Sequence, residues 1–255
     1  MTTTFPESTR TTLSQSARKQ RSVRGVLNLA VGAVAALALI PIVYLFIRAS
    51  QKPLGEITAL LIRPKTLEVL ATTSALVICV VFTTVVMGVL MASGLHFVQL
   101  PFRQLLIIPA VLPLAIPSYV FTYTWVALIP EFSGFLAAAF ILSITTLPYV
   151  ILATLAGLRR VDGSQIEVAR SLGLTPAQTF RRVVFPQVKG HVSAGALLAA
   201  LYTISDFGAV SLLNVETLTV TIQNMYRASY DRSAAAVISF VLIAFSTIVV
   251  LADEK

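Results

Sequence analysis

Six long apolar stretches, separated by shorter polar ones, dominate the pattern of the chain. Each stretch has 19 to 25 residues, and five of the six contain no Asp, Glu, Lys or Arg. A helix of about 20 apolar residues spans the ~30 Å hydrocarbon core of a bilayer. Because backbone groups in lipid must bond within their own segment, helix is the expected conformation. The predicted transmembrane helices are 26–47, 69–91, 105–129, 135–158, 192–213 and 234–252.

The composition excludes the common soluble classes. Hydrophobic residues make up 56% of the 255 positions and charged residues only 12%, about half of the ~25% usual in soluble domains. The net charge of +8 would suit a nucleic-acid-binding domain, but the basic residues lie between the apolar stretches. The single cysteine, Cys79, lies within a stretch and offers neither a disulfide framework nor a thiolate metal site. We therefore expect an all-α membrane protein with six transmembrane helices.

The distribution of Lys and Arg predicts the orientation. The N-terminal tail and the segments 92–104, 159–191 and 253–255 together carry 13 of them, against six in the intervening segments. Cytoplasmic segments carry the excess of Lys and Arg in membrane proteins. The N-terminus is therefore expected in the cytoplasm. The predicted organisation is a basic cytoplasmic tail at 1–25 and a six-span domain at 26–252, with one large cytoplasmic loop at 159–191.

Prolines are expected to distort the third stretch. Pro109, Pro113 and Pro117 recur every four residues and so share one helix face. Each lacks a backbone donor and kinks a helix, which membranes tolerate where neighbouring helices or a cavity receive the freed carbonyls. The pattern suits a kinked packing helix and a helix lining a transport pathway equally well.

The 159–191 loop carries the signals of two short helices. Pairs of Ser or Thr with Glu or Gln three residues later, typical of helix N-termini, begin at Ser164 and Thr175. Gly173 lies where the first helix should end in a left-handed cap, and Pro186 is expected to end the second. The second helix carries an apolar stripe, shaped to dock against a partner, at Phe180, Val183 and Val184.

This loop resembles the coupling loop in the membrane subunits of bacterial ABC importers. That family has Glu-Ala-Ala, three residues, Gly, nine residues, Ile, one residue and Leu-Pro. This chain has Glu167-Val168-Ala169, Gly173, Val183 and Phe185-Pro186 at the same spacings. The resemblance implies the type I importer permease fold, with the loop seated in a groove of a separate ATP-binding subunit. The ATPase-coupling residues it implies, together with the stripe residue Phe180, are Glu167, Ala169, Gly173, Val183, Phe185 and Pro186.

Three further segments, 112–120, 146–150 and 205–210, resemble the ferric-iron branch of these permeases. Permeases for thiamine, phosphonate and related solutes share similar segments, so those substrates remain alternatives. Ferric-type permeases usually fuse two six-span halves, each with its own loop, whereas this chain has one loop. We expect either a half-permease that dimerises or the first half of a longer protein.

Asp206 is the one ionisable residue inside a predicted span. Such residues usually face a cavity or a partner, and a ferric ion, as a hard cation, favours carboxylate and phenolate oxygens. Alternatively, Asp206 caps a helix break before Gly208, and the tyrosines nearby pack or anchor the helices. The residues that could add oxygens to a substrate pathway are Ser205, Tyr119, Tyr123 and Tyr202.

The expected function is therefore that of a permease subunit in the bacterial inner membrane. It would move substrate from a periplasmic solute-binding protein into the cytoplasm, and ferric iron is the substrate we expect. The chain has no Gly-x4-Gly-Lys-Ser/Thr segment, so we expect no enzymatic activity and no cofactor here, with ATP and Mg²⁺ on partner ATPase subunits. The other expected partners are a second permease half or homodimer partner and the lipid bilayer, but no nucleic acid.

Two other classes of protein remain as alternatives. An ion-coupled secondary transporter would show several intramembrane charges and an inverted repeat, whereas one intramembrane charge and no evident repeat are found. A membrane scaffold without transport activity would not need the two capped helices of the loop.

Overall fold

All regular secondary structure in the described part of the chain is helical. A computed structural model describes residues 7–98, 103–228 and 232–253, with side chains for 27–98, 105–227 and 232–253. The chain divides after Gln51 into two compact units. The first contains one 43-residue helix, α1 (Glu7–Ala49), whose Leu27–Ala49 part is long and apolar enough to cross a membrane. Residues 7–25, predicted as part of a tail, belong to this helix.

Eleven helices are described in the second unit. Besides Leu27–Ala49, three helices pass the same test of length and apolar composition, namely α3, α6 and α12. The helices of this unit are α2 (Leu54–Ile62), α3 (Pro64–Phe97), α4 (Arg103–Val111), α5 (Ser118–Leu128), α6 (Phe135–Leu158), α7 (Gly163–Ser171), α8 (Pro176–Thr179), α9 (Phe185–Ser205), α10 (Gly208–Leu212), α11 (Leu218–Ala228) and α12 (Arg232–Asp253).

The third predicted span is broken instead of straight. After α4, a turn of 3₁₀ helix covers Leu112–Ala115, and α5 begins only at Ser118. The two halves meet at 96° and qualify as a membrane span only when taken as one bent pair. Pro113 lies in the first turn of the 3₁₀ segment and Pro117 directly precedes α5. Each occupies a helix start, where a missing N–H costs little.

The fifth predicted span, 192–213, also differs from the structure. Its helix α9 begins at Phe185 and ends at Ser205, and the chain then turns at Asp206 before the separate helix α10. The first turns of α9 contain Lys189 and His191, and α9 is not among the helices apolar enough to cross. The described residues thus give four candidate spans, or five with the bent pair, where the sequence predicts six.

The centre of the second unit is built from α3, α6 and α9, which pack on one another. Two glycines bring these backbones close together. A Cβ atom at Gly88 of α3 would lie 2.7 Å from Cγ1 of Val150 on α6, and one at Gly195 of α9 would lie 2.8 Å from Cα of Val150. Small residues allow such close approach of membrane helices, where van der Waals packing dominates association.

Candidate functional site

The predicted coupling loop begins at α7, and Asp162 caps it. The Asp162 carboxylate accepts a hydrogen bond from the backbone N–H of Ser164 at 2.9 Å. The predicted cap by Ser164, paired with Glu167, is therefore wrong, because the helix starts two residues earlier. Hydrogen bonds from Ser164 hold the pKa of the Asp162 carboxyl below its ordinary value, since they favour the charged form.

The turn after α7 confirms the prediction for Gly173. Its φ is +82°, in the left-handed region that glycine enters without strain. The N–H of Gly173 donates to the carbonyl of Arg170 at 2.9 Å, and the N–H of Leu174 donates to the carbonyl of Ala169 at 3.2 Å. This pair of bonds is the Schellman motif, which satisfies the last carbonyls of the helix.

The second predicted capping box is also confirmed. The N–H of Gln178 donates to Oγ1 of Thr175 at 3.3 Å, and the N–H of Thr175 donates to Oε1 of Gln178 at 3.0 Å. Pro176 occupies the first turn of α8, as expected. Local sequence therefore fixes both the turn and the restart of the helix.

The predicted helix end at Pro186 is wrong. After α8 the chain continues through a π-helical turn, Phe180–Val184, directly into α9, in which Pro186 occupies the first turn. The N–H of Phe185 donates to the carbonyl of Phe180, five residues back. In a regular α-helix a proline ring collides with the carbonyl four residues earlier, and the wider π-turn relieves that contact. The predicted coupling element is thus continuous with α9.

The predicted apolar stripe faces the protein's own core. Val184 is only 1% exposed, and it packs with Leu155 and Leu158 of α6. Phe180 is partly buried against the same cluster. Ala169 of α7 is buried as well. Val184 and Phe180 therefore hold the loop against α6, and the expected docking of these two side chains on a partner is corrected.

A different apolar surface of the loop is exposed. Val168 of α7 and Leu172, the C-cap residue that directly follows α7, lie one turn apart and expose 59% and 77% of their area. We call Val168, Leu172 and the exposed Glu167 the docking face. Sequence reasoning took Val168 only as a motif substitution and missed Leu172, although their i, i+4 spacing is a signal of a shared face. Exposed basic residues in the same loop are Arg159, Arg160, Arg170, Arg181 and Arg182.

Asp206 lies at the break between α9 and α10, and its alternative role as a cap is confirmed. It is 8% exposed, and its Oδ1 accepts from the N–H of Ala209 at 2.9 Å and from that of Val210 at 3.4 Å. Oδ2 accepts a hydrogen bond from the hydroxyl of Ser118 on α5. The carboxylate therefore satisfies backbone N–H groups in the first turn of α10 and connects α10 to α5, the second half of the bent pair.

The candidate pathway residues fall into two groups. Tyr119 and Tyr123 lie one turn apart on α5 with 52% and 61% of their area exposed, and Tyr119 is packed against Gly208. Tyr202 of α9 is partly buried, with its ring 6.1 Å from that of Tyr149. Ser205 is exposed and donates to the carbonyl of Tyr202 at 3.0 Å. Within the described residues, no group of three or more His, Cys, Asp and Glu side chains could hold a metal ion.

Comparison with known sequences identifies a family. Residues 84–254 match the family described as the inner membrane component of binding-protein-dependent transport systems. A Haemophilus influenzae protein named Fe(3+)-transport system permease protein FbpB 2 is 33% identical over 84% of this chain, which spans 42% of that protein. A Synechococcus elongatus protein named sulfate transport system permease protein CysT is 27% identical over 82% of this chain and 83% of its own length.

Comparison with solved structures identifies the fold. A chain of a bacterial ABC transporter involved in the import of the acidic polysaccharide alginate superposes with a TM-score of 0.75 at 12% identity. The superposition covers 95% of this chain and 96% of the other. The predicted type I importer permease fold is confirmed by this likeness.

Proposed function

Because this chain belongs to the family of inner membrane components of binding-protein-dependent transport systems, we propose that it is a permease unit of an ABC importer whose ATPase binds at the docking face on α7. It would act without enzymatic activity of its own, in a bacterial inner membrane, next to a second permease half or a second copy. A solute-binding protein would deliver substrate from the opposite side.

The exposed apolar pair on α7 is the observation that carries this proposal. Val168 and Leu172 are held outward by a helix that is fixed at both ends, by the Asp162 cap and by the turn at Gly173. Burying such a side chain against a partner stabilises a complex by about 1–2 kcal/mol. The exposed arginines of the same loop favour an acidic partner surface, and complementary charge speeds association. Glu167 lies beside the pair and can accept hydrogen bonds from that partner.

Binding of the ATPase tests this proposal directly. We expect Val168→Gln combined with Leu172→Gln to weaken ATPase binding in detergent by about tenfold or more, because about 2 kcal/mol of apolar burial is lost. Ala177→Gln is the matched control, since Ala177 is exposed on α8 but lies outside the docking face. Unchanged binding by the double variant, or equal loss in the control, would contradict the proposal.

We further propose that the substrate is ferric iron. The support comes from the relative named for Fe(3+) transport and from the three segments that resemble the ferric branch. Both Asp206 oxygens are already engaged within the protein. Of the candidate pathway residues, Tyr119, Tyr123 and Ser205 are exposed, and we propose that their hydroxyl groups contact the ion. Hard cations favour such oxygen donors.

The substrate is tested with the reconstituted transporter, its ATPase and a binding protein. We expect iron-loaded binding protein to raise the ATPase rate, and Tyr119→Phe with Tyr123→Phe to lower iron uptake while ATPase binding is retained. Trp125→Phe, on the same helix but partly buried in the core, is a control for disturbance of α5. Stimulation only by a binding protein loaded with sulfate, thiamine or a phosphonate would overturn the assignment.

A further inference from the structure

A pair of glutamine side chains joins α7 to α9. Nε2 of Gln187, in the first turns of α9, donates to Oε1 of Gln165 on α7 at 3.0 Å. The same nitrogen donates to the carbonyl of Val183 at 2.8 Å. An amide NH₂ has two hydrogens, so one group can make both bonds. The first bond bridges 22 residues of the chain.

The bond between Gln165 and Gln187 lies next to a part of the helix where regular backbone hydrogen bonds are missing. The π-turn Phe180–Val184 interrupts the regular hydrogen-bond ladder, and Pro186 removes a further donor. Gln187 follows immediately and anchors the carbonyl of Val183 at the end of that turn. Without the link, α7 remains attached through the turn at Gly173, and its Ile166 packs against the cluster that contains Val184, Leu155 and Leu158. Apolar packing has no preferred direction, so the hydrogen bond between Gln165 and Gln187 adds a directional constraint between α7 and α9.

We propose that Gln165 and Gln187 are positioning residues that fix the angle between α7 and α9, so that a displacement of α7 by the ATPase moves α9 with it. This inference rests on the proposed function above. The docking face determines whether the ATPase binds, and the glutamine link determines how much of its movement reaches the membrane-embedded part. Helix α7 takes part in both roles, since Glu167 and Val168 belong to the docking face and Gln165 belongs to the link.

Two substitutions at one exposed position separate the link from its surroundings. Gln165→Leu removes the acceptor, whereas Gln165→Glu keeps a carboxylate oxygen for Gln187, and neither touches the Gln187–Val183 bond. We expect both variants to bind the ATPase as the unmodified protein does. Gln165→Leu should lower the ratio of substrate-stimulated to basal ATPase rate by about two- to tenfold, the range that one hydrogen bond contributes. Gln165→Glu should keep the ratio.

Hydrogen exchange gives a readout that needs no ATPase. Exchange of the α7 amides should become faster in Gln165→Leu and stay unchanged in Gln165→Glu. Unchanged exchange and coupling in Gln165→Leu, or equal effects of both substitutions, would overturn the inference. Loss of ATPase binding in either variant would also overturn it. A different outcome would separate the two proposals. If the docking-face double variant binds the ATPase normally while Gln165→Leu still speeds the exchange of the α7 amides, the proposed function is wrong but the link between α7 and α9 is supported.

Discussion

At the level of single residues, Gly173 has a conformational role and no packing role. Its φ is +82°, and a Cβ atom there would meet nothing within 4 Å. Any effect of a substitution therefore comes from the backbone, because side chains other than Asn, Asp and Gly disfavour the left-handed region. The cost is about 1 kcal/mol for an ordinary residue and more for a β-branched one.

We predict that Gly173→Val loosens the loop. Trypsin should cleave after Arg170 about five times faster, since about 1 kcal/mol changes an opening equilibrium by that factor. Gly173→Asn should remain close to the unmodified protein, because Asn tolerates this conformation. Gly163→Ala is the control, since Gly163 is also unhindered but has an ordinary φ. Equal cleavage rates for Gly173→Val and Gly163→Ala would show that the turn does not need glycine.

Asp206 also has a distinct role, and its hydrogen-bond partners determine how far a substitution should lower the stability of the protein. We predict that Asp206→Ala lowers the free energy of unfolding by about 1–3 kcal/mol, because a helix cap is lost and the hydroxyl of Ser118 loses its acceptor. Asp206→Asn keeps one acceptor oxygen and should cost less. Thermal unfolding in detergent measures both. Normal stability with abolished transport in Asp206→Asn would instead place the charge in the substrate pathway.

At the level of helices, α7 depends on a charged cap. The Asp162 carboxylate accepts from Ser164 at the N-terminus of the helix, where the helix dipole also favours negative charge. Its pKa is lowered in the folded protein by these hydrogen bonds. The cap therefore stabilises α7 at every pH above the ordinary aspartate range. That contribution is lost only as the pH falls through the lowered pKa.

This linkage predicts how α7 responds to acid. Hydrogen exchange of the α7 amides, corrected for intrinsic rates, should give the same protection between pH 5 and pH 7. Protection should fall at a pH below the ordinary aspartate range, and Asp162→Asn should remove that acid-dependent change. A loss of protection around neutral pH in the unmodified protein would exclude Asp162 as the controlling group.

At the level of the whole molecule, the number of crossings depends on the bent pair formed by α4 and α5. Four helices are candidate spans on their own, and the pair adds a fifth. Four elements could cross the membrane between the N-terminal residues and the loop 159–191, namely α1, α3, the bent pair and α6. If all four cross, the N-terminal residues and the loop lie on the same side of the membrane. If the pair does not cross, they lie on opposite sides.

Cysteine labelling in a Cys79→Ala background distinguishes these arrangements. We predict that Ser14→Cys and Ser164→Cys are labelled from the cytoplasmic side and Glu131→Cys from the other side, because α6 separates residue 131 from residue 164. Labelling of Ser14→Cys and Ser164→Cys from opposite sides would show that the bent pair re-enters the side it came from. Labelling of Glu131→Cys and Ser164→Cys from one side would contradict the crossing of α6.

Within the loop 159–191, the features formed by neighbouring residues could be predicted from the sequence. The Thr175–Gln178 box and the turn at Gly173 are formed by neighbouring residues, so their patterns suffice. The cap of α7 was misassigned because Asp162 and Ser164 are both good caps, and the choice depends on where the helix begins. The family pattern predicts a coupling role for the loop 159–191 from spacing alone, and that role stays a prediction.

Contacts between distant residues account for the remaining errors. Pro186 alone indicates a helix end, whereas the π-turn before it relieves the contact of the proline ring and packs Val184 against α6, so that the helix continues. Likewise, Ser118 and Asp206 are 88 residues apart, and no periodicity relates them. The predicted stripe at Phe180 and Val184 was correctly apolar, but a pattern cannot tell whether its partner is another subunit or the protein's own core.

The close approach of three backbones around Val150 has a mechanical consequence. Neither Gly88 nor Gly195 leaves room for one methyl group, so α3 and α9 lie in close contact with α6 at Val150, and packed interiors resist compression. We therefore expect the helices α3, α6 and α9 to move together. Opening and closing of a passage would then depend on flexure elsewhere, at the 96° corner between α4 and α5. The close-packed centre of three helices would serve as the lever and that corner as the hinge.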